Sequence, residues 1–94
     1  MSITRINQFQ ARDGQGNELH QLISSAKPHV GLVGGLISYQ ILQGMADPDH
    51  IVVVEVWESV AAHQRSAAKI PVHVLEKART LLVTPPSGAY FQNP

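Results

Sequence analysis

Between Ile51 and Trp57 the chain reads Ile-Val-Val-Val-Glu-Val-Trp, with apolar side chains on both sides of a two-residue period. That pattern predicts a strand buried on both faces. Residues 3 to 11 alternate instead, with Ile3, Arg5, Asn7, Phe9 and Ala11 on one side and Thr4, Ile6, Gln8 and Gln10 on the other, so a first strand with one mostly polar face is expected there. After the turn residues Asp13 to Gly16, Asn17 is placed to cap a helix whose apolar stripe is Leu19, Leu22, Ile23, Ala26, Val30 and Val33. Pro28 falls within that stripe and predicts a kink there or an end to the helix near Lys27, with Gly31, Gly34 and Gly35 closing the segment.

The second half continues in the same way. A strand from Leu36 to Gln43, with Ile37, Tyr39 and Ile41 on one side, joins the central strand as a hairpin through Gly44 to His50. Ser59 is a candidate N-cap for a short helix over 60–69, and Pro71 suits the first turn of another whose stripe is Val74, Leu75, Ala78, Leu81 and Leu82. A last strand is expected over Ala89 to Gln92. Strand, helix, strand, strand, helix pair, strand is the order of a ferredoxin-like βαββαβ fold of α+β class, with an antiparallel four-stranded sheet, in a single domain over 1–94.

A central strand apolar on both faces needs cover on each, and 94 residues do not supply two layers of helices. Leaving Val52, Val54 and Val56 in water forfeits about 5 kcal/mol, against a total domain stability of roughly 5 to 15 kcal/mol. A homodimer is therefore expected, sheet to sheet. With no cysteine, the chain has no disulfide framework, thiolate metal site or cysteine nucleophile. Zero net charge without a basic run argues against nucleic-acid and membrane-surface partners, and no apolar leader is seen, so a cytoplasmic location is expected.

Taken together, Gly35-Leu36-Ile37-Ser38-Tyr39, Asp47-Pro48-Asp49 and Glu55-Val56-Trp57-Glu58-Ser59 resemble the antibiotic biosynthesis monooxygenase (ABM) domain family over nearly the whole chain. The resemblance implies a dimeric α/β barrel with a ligand cavity between sheet and helices in each subunit. Chemistry within the family ranges over cofactor-free oxygenation of quinols and anthrones, haem degradation and isomerisation. Asn7 and Trp57 stand where the haem-degrading branch places two of its three site residues. The third, a helical histidine nine or ten residues past the tryptophan in family members, is replaced here by Ser66 and Ala67, and His63 stands one helical turn earlier.

The candidate catalytic residues are His63, Glu55, Trp57 and Asn7, and the candidate substrate-binding residues are Phe9, Ile37, Tyr39 and His73. His63 lies on the inward stripe of its helix, either as a base or as a histidine bonded to a backbone carbonyl. Glu55 shares a strand face with Val53 and Trp57, where desolvation raises a carboxyl pKa, unless it pairs with Arg5 on the neighbouring strand. Trp57 and Asn7 carry buried donors that need a partner, in the protein or in a ligand. His73 lies opposite the apolar stripe of its helix, and His20, His29 and His50 fall on exposed helix or loop positions without a role. No histidine spacing predicts a metal site. The expected function is oxidation of an electron-rich aromatic, quinol-like or anthrone-like, by O₂ without a cofactor. The alternatives are a non-catalytic small-ligand-binding dimer and an isomerase of a small carbonyl compound.

Overall fold

The computed structural model describes residues 2–30 and 34–94, without the side chains of residues 28–30. Its elements are β1 (Ile3–Gln10), α1 (Gly16–Val30), β2 (Leu36–Gln43), β3 (His50–Trp57), α2 (Val60–Ala67), α3 (Val72–Leu81) and β4 (Ser87–Phe91). The four strands form one antiparallel sheet in the order β2-β3-β1-β4, the ferredoxin-like arrangement expected from the sequence. β1 and β3 are the inner strands, paired so that Arg5 lies opposite Glu55 and Asn7 opposite Val53.

Alternation along β3 divides the sheet into two unlike faces. Ile51, Val53, Glu55 and Trp57 are buried on the side where the helices lie. Two apolar clusters form there, one of Ala11, Leu19, Ile51, Val53, Leu81 and Leu82, the other of Trp57 and Ala62, and Tyr39 packs against both. Val52, Val54, Val56 and Ile6 point the other way and are half-buried, shielded by cross-strand neighbours but, among the described residues, by no helix. Leu42 and Phe91 extend that outer face to its two edges, 49% and 51% exposed.

Local departures from expectation have local causes. Helix α1 starts at Gly16, whose N–H donates to the Asp49 carboxylate at 2.9 Å, as does that of Gly14 in the preceding turn at 3.1 Å, so Asp49 rather than Asn17 holds this end. A carboxylate at a helix N-terminus meets both the free donors and the dipole. The Asn17 side chain instead accepts from Gln43. The helix passes Pro28 and runs to Val30 rather than ending near Lys27. The expected role of Val33, of the Val30 side chain and of Gly31, and the placement of the His29 ring, lie outside the described residues. His50 opens β3, not a loop, and its ring bonds the Gln8 side chain. Strand β4 begins at Ser87, two residues before the expected start, because pairing with β1 begins there. The Ser59 cap forms as expected, its Oγ accepting from the Ala62 N–H at 3.1 Å. Among the described residues no helix is long and apolar enough to cross a membrane.

Gly35 sets how closely α2 approaches the sheet. It adopts φ +86°, and a Cβ on it would run into the Ala62 side chain beside Trp57. Gly35→Ala is therefore expected to lower stability by about 1–3 kcal/mol through backbone strain and overpacking. An unchanged urea midpoint would show that the helix yields freely.

Candidate functional site

A cavity of about 140 Å³ opens between the sheet and the helices where the two apolar clusters meet. Its walls are mostly hydrocarbon: Phe9 and Val53 from the sheet, Leu22, Ile23 and Ala26 from α1, and Ala67, Ile70, Val74, Leu75 and Ala78 from α2, α3 and the turn between them. Five polar side chains reach it, namely Asn7, Tyr39, Glu55, His63 and Ser66. Strand alternation delivers Asn7, Tyr39 and Glu55 to one face, and α2, capped by Ser59, brings His63 and Ser66 down onto them.

Glu55 is the buried charge of this site, 5% exposed. Its Oε1 accepts from the Trp57 indole N–H at 2.8 Å, a contact between residues i and i+2 that share a strand face. Burial pushes its carboxyl above the ordinary value of 4.5, and the Trp57 hydrogen bond and the Arg5 charge offset part of that rise. His63 Nε2 lies 3.8 Å from the same oxygen, while its Nδ1 is 2.7 Å from the Tyr90 hydroxyl. Burial and the Arg5 charge lower the His63 pKa from its usual 6.5, which favours the neutral imidazole beside Glu55. Burial, and next the Glu55 charge, push the Tyr39 phenol well above its ordinary range, so Tyr39 keeps its proton.

Arg5 lies opposite Glu55 but spends its guanidinium elsewhere. Its Nε donates to Asn7 Oδ1 at 2.9 Å, and its Cζ sits 4.6 Å from the centre of the Tyr90 ring. The pair fits because Gly88 stands across from Asn7: a Cβ there would fall onto both the guanidinium and the Asn7 oxygen. The expected direct Arg5–Glu55 pairing is thus replaced by action at a distance. Asn7 lines the cavity, and among the described residues no protein acceptor takes its amide N–H.

Of the residues expected at a site, Asn7, Phe9, Tyr39, Glu55 and His63 line this one cavity. Three do not. Trp57 is fully buried behind Glu55 and its N–H is already engaged, so it orients the carboxylate instead of holding a ligand oxygen. Ile37 is displaced by a register shift between Leu36 and Ser38, which turns Leu36 toward Trp57 and leaves Ile37 58% exposed. His73 is exposed because the Val74 side of α3 faces the core. Ser66 and Ala67 do stand at the cavity wall, their small side chains leaving space there. Tyr90 was not legible as a site residue: only the Arg5–Tyr90 register brings it to His63, and β4 is too short to announce its register. Among the described residues no three His, Cys, Asp or Glu side chains gather as a metal site would require.

A profile described as antibiotic biosynthesis monooxygenase matches residues 2–69. No curated protein matches in sequence. Among solved structures the chain is similar to a conserved protein from Methanosarcina mazei Go1, with TM-score 0.85 and 14% identity over 100% of this chain and 94% of that one. It is also similar to SnoaB, a cofactor-independent oxygenase from Streptomyces nogalater, with TM-score 0.79 and 19% identity over 99% and 93%. A third similar structure is Rv0793 from Mycobacterium tuberculosis, with TM-score 0.81 and 18% identity over 100% and 96%. At these identities the structural likeness carries the fold.

Because a hydrogen bond to the charged form lowers a carboxyl pKa, Trp57→Phe is expected to raise that of Glu55 further. A ¹³C carboxyl titration by NMR checks this, and coincident curves for the two proteins would contradict it. Stability follows with a definite sign. The folded chain holds this proton more tightly than the unfolded one, so Glu55 costs stability as pH rises from 4.5 through its raised folded pKa.

Proposed function

The chain belongs to the antibiotic biosynthesis monooxygenase family, and from that premise we propose that it is a cofactor-independent oxygenase of a small electron-rich aromatic, a single-ring quinol. The observation that carries this reading is the placement of Glu55 and His63, 3.8 Å apart, on the wall of a mostly apolar cavity. Such a wall offers a base beside a dry slot, which is what this chemistry requires. An apolar cavity of about 150 Å³ accommodates one benzene ring, so the 140 Å³ here suits a monocyclic quinol better than a tricyclic anthrone.

In the reaction, Glu55 or His63 takes a phenol proton, and the resulting phenolate gives one electron to O₂. The semiquinone radical and superoxide join by a C–O bond at a ring carbon, and the peroxide so formed takes up a proton. Loss of the ring C–H proton with cleavage of the O–O bond then releases water and leaves a hydroxyquinone. Both atoms of O₂ are thereby accounted for, one in product and one in water, and the substrate supplies every electron. The Asn7 amide N–H holds the phenolate oxygen, and Phe9 and Leu22 flank the ring.

The working unit in this reading is a homodimer closed through the outer sheet face, where no helix among the described residues covers Ile6, Leu42, Val52, Val54, Val56 and Phe91. Val54→Arg at the centre of that face is expected to shift the protein from dimer to monomer in sedimentation velocity. A monomeric parent protein would contradict the barrel.

Oxygen uptake above the autoxidation blank is expected with monocyclic hydroquinones and the metal-free protein. Loss of a positioned base costs about 10²–10⁴-fold, so Glu55→Gln is expected to fall in that range, and Asn7→Ala to fall less. No uptake with any hydroquinone would remove the oxygenase reading and favour an isomerase of a small carbonyl compound.

A further inference from the structure

Glu55 and His63 both border the cavity, and the contacts on the far side of His63 distinguish their roles. The imidazole is hydrogen-bonded at one nitrogen and faces a carboxylate with the other. Nδ1 lies 2.7 Å from the Tyr90 hydroxyl, while Nε2 faces Glu55 Oε1 at 3.8 Å. That oxygen already accepts the Trp57 indole N–H, so it is oriented as an acceptor. A lone pair on Nε2 would face the lone pairs of Oε1, whereas an N–H there complements them. On the other side, the phenol is a natural donor, and the Arg5 guanidinium over the Tyr90 ring strengthens its O–H further. The Trp57 and Tyr90 rings meet the imidazole edge-on, 5.7 and 5.4 Å from its centre, which restricts its rotation.

Resting on the oxygenase reading, we infer that Tyr90 is a positioning residue that donates to His63 Nδ1 and fixes His63 as the Nε2–H tautomer, leaving Glu55 as the base. In that tautomer neither imidazole nitrogen has a free lone pair for the substrate. At 3.8 Å from Oε1 the Nε2–H is not bound to Glu55, so His63 serves as an N–H donor to the oxyanion that forms in the cavity. Glu55, with its second oxygen free of protein donors among the described residues, receives the phenol proton. The charged and titratable groups facing His63 are Glu55 from β3, Arg5 from β1 and Tyr90 from β4, and the arrangement needs all three.

The test is the ¹⁵N chemical-shift pattern of the His63 ring at neutral pH, read with His63→Gln to assign the signals. A protonated Nε2 and an unprotonated Nδ1 in the parent protein, with the other tautomer gaining population in Tyr90→Phe, is the expected result. A parent His63 protonated at Nδ1, or at both nitrogens, would overturn the inference, as would an unchanged pattern in Tyr90→Phe. Because this readout needs no turnover, it stands or falls separately from oxygen uptake. In the active protein, Tyr90→Phe is expected to lower kcat by about five- to tenfold, the worth of one hydrogen bond, with KM little changed. A KM effect alone would also count against it.

Discussion

The hydrogen bond from the Trp57 indole to the Glu55 carboxylate is the contact on which the site depends. A carboxylate 5% exposed among hydrocarbon walls is costly to ionise, and each compensating group is supplied by a different part of the fold. Trp57 supplies a donor from two residues along the same strand. Arg5 supplies a distant positive charge from the neighbouring strand, held off direct contact by its commitments to Asn7 and Tyr90. The compensation is partial, and the carboxyl is left above its ordinary value, a stronger base than an exposed glutamate.

The sheet around this contact is asymmetric by construction. Strict alternation in β3 sends Ile51, Val53, Glu55 and Trp57 toward the helices and Val52, Val54 and Val56 away from them. The helix side is incompletely filled where α2, α3 and α1 converge, because Ser66, Ala67 and Ala78 are small, and the cavity is what remains. The opposite face mixes Val52, Val54, Val56 and Ile6 with Thr4, Gln8 and Gln40, and among the described residues no helix covers it. One strand thus builds the site and the surface proposed for association.

The sequence carried most of this wherever periodicity was long enough. The two-residue alternation read over residues 3–11 and 51–57 placed Asn7, Phe9 and Glu55 on the inward faces of their strands, and the Ser59 cap located α2 and so His63. It failed where one residue changes the count or where a partner is distant in the chain. The register shift after Leu36 turned Ile37 out of the site, and no local pattern distinguishes such a shift from regular alternation. Asp49, rather than the adjacent Asn17, holds the start of α1 because a hairpin 33 residues away brings it there. The Trp57 N–H needed a partner in the protein or in a ligand, and the acceptor it takes lies on its own strand. Tyr90 depended on the pairing of β4 with β1, which five exposed residues do not reveal.

The most direct test of Glu55 as the group that meets the substrate is a crystal structure with resorcinol, whose meta hydroxyls prevent its oxidation to a quinone. The expected result is one ring in the cavity against Phe9 and Leu22, with a hydroxyl within hydrogen-bond distance of the free Glu55 oxygen and of Asn7. A ring bound elsewhere, or bound in the cavity with both hydroxyls turned away from Glu55, would contradict it.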